Sequence, residues 1–255
     1  MMRYAKRSAT ACLTLALALL TPSAHAAGPL PEVAVTTCGQ IVPKKTLGYL
    51  TGDLDCTGYD GGDPAVLYET DVPVTLGQKA KLDLRGFTLT GGGKYTVGCI
   101  NIRADRKRHG VCEIFNGTLT GGTQYGVLAE NAYVHDLTST GTGVGLYLVG
   151  KKNRVENVVV SDNYADGMRL GNATLRDATV TNNAGNGIAG YKLKIYDSTI
   201  TGSGTSDFCV SHPGDCFDIN AQKWRPKVEN VVCGTSGGSG ALGPPDGTWG
   251  VCSAD

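Results

Sequence analysis

Apolar residues recur along this chain in short alternating runs, and between Asn153 and Tyr196 the runs themselves recur. Writing NRVENVVVSDNYADGMRLGN above ATLRDATVTNNAGNGIAGYK, with LKIY opening a third line, brings Asn157, Asp177 and Asp197 into one column. Val155, Leu175 and Ile195 form another, Val160, Val180 and Ile200 a third, and Gly167-Met168 stands above Gly187-Ile188. The period is 20 residues. Backwards it passes through Asp136 and Asn116 to a looser copy at LRGFTLTGG. Forwards, Asn230 follows Asp197 by 33 residues, one period plus an insertion of 13.

A unit this short has no core of its own, so its copies must stack to bury a continuous apolar face. Within each copy the apolar spacing is two (Val158-x-Val160, Met168-x-Leu170), broken by Asn, Asp, Gly and Ser, which is the signature of strands and turns and not of helices. The fixed Leu-x-x-Leu-x-Leu spacing of leucine-rich repeats is absent. Three short strands and three turns per copy predict an all-β parallel β-helix of about seven rungs, its strands paired with those of the rungs above and below. The Asn/Asp column then reads as a stacked polar corner. A Thr-x-Thr column pair (Thr88/Thr90, Thr118/Thr120, Thr138/Thr140, Thr179/Thr181, Thr199/Thr201) falls on an outer face. Threonine favours strands, and a flat array of this kind also resembles the face of ice-binding solenoids.

Residues 1–26 read as a signal peptide, with Arg3, Lys6 and Arg7 ahead of an apolar run and Ala24-His25-Ala26 as the cleavage site. No later run is apolar enough to cross a membrane as a helix. Removing that segment takes three of the 23 basic residues and none of the 23 acidic ones, leaving a net charge of −3, which disfavours a nucleic-acid partner. Eight cysteines remain. In an exported chain they read as disulfides, and the simplest pairing joins sequence neighbours: Cys38–Cys56, Cys99–Cys112, Cys209–Cys216 and Cys233–Cys252. Other connectivities stay open on spacing alone, whereas zinc lacks its CxxC pairs. The chain is expected to form one monomeric domain over 27–255, secreted or periplasmic, with 27–80 as an N-terminal cap region, 81–233 as rungs and 234–255 as a C-terminal cap or tail.

Cys38-Gly39, Leu50 to Cys56 (LTGDLDC) and Asp83 to Gly91 (DLRGFTLTG) resemble the openings of bacterial exported proteins with right-handed parallel β-helix repeats, of the pectate-lyase-like superfamily. The resemblance implies a right-handed solenoid. It also implies a site on the strand after the turn glycine, and an activity among uronate lyases, polysaccharide hydrolases, epimerases and non-catalytic members. The doubled Asp, Gly-His-Gly and Arg-x-Lys signatures of polygalacturonases are missing, so that activity is not carried over.

Aligning CINIR, VLAE, LYLV, MRLG, IAGY and FDIN on that strand makes Asn101, Leu128, Tyr147, Arg169, Ala189 and Asp218 the outward residues. Asp166, Asn186 and Asp215 come just before them, and His212 lies in the inserted loop. Arg169 has the chemistry to neutralise a uronate carboxylate, and Tyr147 or His212 to move the proton at C5 and on the leaving oxygen. Asp166 with Asp215 or Asp218 would instead supply the two carboxylates of a glycoside hydrolase. The same three acids form a donor set for calcium. Asn101, Asn186 and Arg103, the last in the basic run RADRKRH, are the expected substrate contacts. The predicted partner is an acidic polysaccharide, bound and cleaved or modified; the different-class alternative is a non-catalytic envelope or adhesion protein. A second charged face carries Tyr133, His135, Arg154, Glu156, Arg176, Lys194 and Tyr196, of which His135, Glu156 and Arg176 read as opposite-charge neighbours on adjacent strands.

Overall fold

The computed structural model describes residues 28–59, 72–99, 111–206, 209, 216–238 and 248–255. One stack of parallel strands runs β1 (Glu32–Val35), β3 (Leu47–Leu50), β6 (Lys81–Asp83), β9 (Cys112–Thr120), β11 (Ala132–Thr140), β13 (Asn153–Ser161), β15 (Ala173–Thr181), β17 (Leu193–Thr201) and β19 (Lys227–Cys233). Two short strands, β4 (Leu54–Asp55) and β7 (Thr88–Thr90), continue its early rungs. A second stack runs β2 (Gln40–Val42), β5 (Val74–Leu76), β8 (Tyr95–Cys99), β10 (Tyr125–Glu130), β12 (Val144–Val149), β14 (Met168–Leu170), β16 (Ile188–Gly190), β18 (Ile219–Ala221) and β20 (Ser236–Gly237). The chain alternates between the stacks, and every pairing between named strands is parallel. The fold is a parallel β-helix. Its strand pairing begins at Glu32, and the segment 27–80, expected as an N-terminal β cap region, supplies strands to both stacks.

The nine-residue strands are each two strands joined at a corner. In β13 the inward residues are Asn153 and Val155, then Val158 and Val160, an interval of three where strict alternation allows two. Asn157 between them takes a left-handed conformation, φ 47°, which turns the chain and resets which face points inward. Asn116, Asp136, Asp177, Asp197 and Asn230 do the same at φ 64°, 50°, 51°, 50° and 54°. Asn and Asp tolerate this region better than other side-chain-bearing residues. The column also bonds along the stack: the amides of Asn116, Asn157 and Asn230 donate to Asp83, Asp136 and Asp197 at 3.0, 2.6 and 2.9 Å.

Inside, equal positions of successive rungs stack. Ile114, Val134, Val155, Leu175 and Ile195 are partners in register and fully buried. Each such side chain contributes about 1.5–3 kcal/mol on leaving water. A polar column accompanies them. Asn183 Oδ1 accepts from the Asn163 amide at 2.8 Å and backbone N–H at 3.2 Å, and Asn163 Oδ1 accepts from the Thr142 hydroxyl and N–H. Ser203 continues the column, its Oγ buried without a hydrogen-bond partner among the described residues. Disulfides join Cys38–Cys56, Cys99–Cys112, Cys209–Cys216 and Cys233–Cys252, the pairing of sequence neighbours. Among the described residues no helix is long and apolar enough to cross a membrane.

Two kinds of substitution test this architecture by urea unfolding. Asp177→Val places a β-branched residue at φ 51° and is expected to cost about 1–3 kcal/mol, whereas Asp177→Gly costs less than half of that. Asn183→Ala, which strands the donors of Asn163, is expected to cost about 1–3 kcal/mol.

Candidate functional site

Outside the second stack, successive rungs present Leu128, Tyr147, Arg169, Ala189 and Asn220 as direct partners. Ala189 is the small member of the row. With Gly171 and Gly190 beside it, it lowers the floor between Tyr147 and Arg169 on one side and Asn220 and Gln222 on the other. The result is a groove of about 510 Å³, with Tyr191 among its lining residues. Glycine is required at Gly190, where a Cβ would sit 2.2 Å from the Leu170 carbonyl oxygen.

Arg169 is held from one side only. Its Nε donates to Asp166 Oδ2 at 2.5 Å, and the side chain stays 47% exposed. The rest of the guanidinium edge has no partner among the described residues. Burial opposes its charge, but the hydrogen bond and charge of Asp166, with smaller help from Tyr125 and Tyr147, push the guanidinium above its usual range. Asp166 Oδ1 accepts from the Asn186 backbone N–H at 2.7 Å and from its amide at 3.0 Å. Asn186 Oδ1 in turn accepts from the Phe217 N–H and the Asn220 amide at 2.9 and 3.1 Å. The chain Arg169–Asp166–Asn186–Asn220 thus ties three neighbouring rungs together along the groove wall. On the N-terminal side Tyr147 is backed by rings that do not line the groove: it tilts onto Tyr125 with centroids 4.8 Å apart, and Tyr125 stacks on buried Tyr95 at 5.5 Å.

Four of the candidate residues, Tyr147, Asp166, Arg169 and Asn186, line one groove together with Tyr191, Asn220 and Gln222. The expected register of the last rung is corrected. Ile188 pairs with Ile219 and Ala189 with Asn220, two residues beyond the positions given to Phe217 and Asp218. Asp218 instead takes the place of the glycine column, where the Cβ of Gly187 would meet Ile200 and Ser203. It is 5% exposed and accepts from the backbone N–H groups of Ser203, Gly234 and Thr235 at 3.1, 2.8 and 3.2 Å. Its role is to fasten turns, and it does not face the groove. One correction follows at the other end: Val97 is the partner of Val127, so Gly98 holds the outward position given to Asn101. Asn101, Arg103, His212 and Asp215 lie outside the described residues. Of the three acids expected as a calcium donor set, Asp166 and Asp218 have their oxygens taken by separate sets of N–H donors, and Asp215 lies outside the described residues. Among the described residues no three His, Cys, Asp or Glu side chains converge on one point. Cys209 Sγ lies 3.4 Å from the Ala184 carbonyl, two residues before groove-lining Asn186.

The second charged face is a network on the outer side of the first stack. His135 stands between Glu113 Oε1 at 3.2 Å and Asp136 Oδ2 at 2.6 Å, and its ring stacks on those of Phe115 and Tyr133. Arg154 pairs with Glu156, which also accepts from Tyr133. The Thr columns are in register from Thr88 to Thr199, with Val159 and Ser161 replacing threonine on one rung.

No family model matches this chain, and no curated protein does. Among solved structures, the A-module of the Azotobacter vinelandii mannuronan C-5 epimerase AlgE6 aligns over 80% of this chain and 76% of that one, at 11% identity and a TM-score of 0.28. A likeness at that score carries no weight for function, and the fold stands on its own strand pairing.

Two measurements test these arrangements. Asp166→Ala leaves Arg169 and the Asn186 N–H without their acceptor and is expected to lower the unfolding free energy by about 1–3 kcal/mol; Gln222→Ala, exposed on the rim, is expected to change it by less than about 0.5 kcal/mol. The second concerns acid. Burial tends to raise Glu113, but Lys81 and His135 outweigh it and hold its carboxyl below the usual 4.5, while the His135 and Asn157 hydrogen bonds hold Asp136 below 3.8. Folded-state values below the unfolded ones contribute stability that is complete above the ordinary carboxylate range and is lost as pH falls through the folded values. Thermal midpoints taken from pH 6 to pH 2.5 are expected to fall less steeply in His135→Gln than in the parent.

Proposed function

We propose that the groove binds an acidic polysaccharide, with Arg169 receiving a uronate carboxylate and the groove-lining rings of Tyr147 and Tyr191 flanking the sugar. The observation that carries this reading is the half-exposed guanidinium, fixed through Nε by buried Asp166 while its remaining edge faces the groove beside Tyr147 and Asn186. Such an edge binds a carboxylate through two parallel hydrogen bonds, which Lys does not reproduce. Aromatic and amide side chains around one charged group are also the lining expected of a site that orients a polar ring.

The chemistry available is that of β-elimination more than of hydrolysis. Asp166 is the single carboxylate among the described groove residues, and both of its oxygens are occupied, so the described wall offers no second acid across a glycosidic bond. Neutralising the uronate carboxylate at Arg169 acidifies the C5 proton, and Tyr147, directly opposite Arg169 on the neighbouring strand, is the group proposed to take that proton as a phenolate and return it to the leaving glycosidic oxygen as the C4–O bond breaks and the C4–C5 double bond forms. We place the protein among bacterial exported β-helix repeat proteins. Its Cys38-Gly39, LTGDLDC and DLRGFTLTG segments support this, as do four disulfides of the kind that persist in oxidising compartments.

The test is a panel of polygalacturonate, polymannuronate, polyguluronate and neutral xylan, followed by affinity electrophoresis and by absorbance of unsaturated ends. A polyuronate is expected to bind, and Arg169→Lys to weaken it by about 10- to 100-fold with unfolding unchanged. Equal binding by Arg169→Lys would overturn the site. Binding without unsaturated product from the parent would favour a non-catalytic envelope protein over a lyase.

A further inference from the structure

Around the corner from the groove, the last rungs carry cations that no carboxylate among the described residues neutralises. Lys192 and Lys223 follow groove residues Tyr191 and Gln222 and occupy left-handed corner positions, φ 53° and 72°. Further along the same rungs, Lys194 of β17 stands directly opposite Lys227 of β19. All four are exposed, and none has an ion-pair partner among the described residues. Paired rungs lie roughly 4.8 Å apart, and like charges facing each other across a strand pair are destabilising. The carboxylate nearest in register, Glu229, is set against Tyr196 and forms no ion pair among the described residues. Trp224 is 50% exposed, with Lys192 Nζ 5.6 Å and Lys223 Nζ 6.0 Å from its ring, while Lys227 Nζ stands 5.3 Å from the Tyr196 ring. Arg225 beside it reaches only the Gly250 carbonyl.

We propose that this corner is a second docking surface, which takes the flank of a linear acidic polysaccharide whose neighbouring sugars occupy the groove. The proposal rests on the groove reading for the path of the polymer. Two features favour a polysaccharide strand over a bilayer. The cations wrap an edge continuous with the groove through Tyr191–Lys192 and Gln222–Lys223, which a strand follows and a flat membrane does not. The aromatic ring is also attended by two ammonium groups, where a membrane anchor would be attended by apolar side chains. Four unneutralised charges on two adjacent rungs match a polymer with an anionic group on each residue, and the attraction is one that salt screens.

The variant is Lys192→Gln, Lys194→Gln, Lys223→Gln and Lys227→Gln together, all on exposed positions. It is compared with the parent and with Arg169→Ala for binding to dextran sulfate, long polygalacturonate, tetragalacturonate and phosphatidylglycerol vesicles. The quadruple variant is expected to bind dextran sulfate and long polygalacturonate about tenfold more weakly at low salt and the tetramer as the parent does; Arg169→Ala is expected to lose the tetramer and keep dextran sulfate. Unchanged dextran sulfate binding by the quadruple variant overturns the proposal, as does lysine-dependent binding of vesicles without binding of dextran sulfate. If the lysines are needed for dextran sulfate while the parent takes no polyuronate of either length, the groove reading fails and the cationic surface stands.

Discussion

A single left-handed residue between two strands is the constraint on which this molecule depends. Strands alternate sides strictly, so a closed rung of extended chain has no way to keep apolar residues inside on both flanks of a bend unless one residue shifts the phase. Asn157 and its equivalents make that shift, and because each rung makes it at the same place, the inward residues of one rung land on those of the next. A second set of left-handed residues (Gly121, Gly141, Asp162, Asn182, Gly202) and a third (Asn131, Gly150, Lys192, Lys223) act at the other bends. The third set is where the groove ends and the lysine corner begins, so the same backbone geometry that closes the rungs also decides what the outer edge displays.

Stacking in register makes the outer face a grid, and a grid has a cavity only where side-chain size changes from one rung to the next. Tyr147 and Arg169 are followed by Ala189, and Ala189 by Asn220; the groove is the missing volume at Ala189. Its walls are rigid because inward Met168 and Leu170 anchor the strand that carries Arg169. A site built this way owes its position to strands and not to loops, which is the condition under which a single guanidinium discriminates between ligands.

The repeat made most of this legible. A 20-residue period fixes the parallel stacking, and the Asn/Asp column identifies the corner because few other residues accept a positive φ. The outward placement of Tyr147 and Arg169 followed from alternation, as did the opposite-charge neighbours on the second face. The last rung escaped for a physical reason. An insertion closed by Cys209–Cys216 precedes it, and the pattern Phe217-x-Ile219 satisfies alternation equally well with either apolar residue in the inward slot. Only the backbone bonding of Ile188 to Asp218 decides between them. The two-residue difference moves Asp218 from the outer row into a bend, where its carboxylate caps turn N–H groups. Tyr191, Asn220 and Gln222 went unnoticed because nothing in their own repeat units marks them; they matter through the small residue that lies between them and Arg169.

Asp166 has two opposed effects on an acidic ligand. It orients Arg169 and raises its affinity for a proton, yet it also cancels most of the charge that would draw a polyanion from a distance, so the pair acts only at contact. The chain as a whole carries as many acidic as basic residues and supplies no general attraction. On the proposed reading, long-range capture and close recognition of a polyanion are therefore separate tasks on this surface. The groove, locally neutral and sterically defined, suits the second. The lysine corner, exposed and unneutralised, suits the first, and its position at the groove's mouth is where steering would be of use.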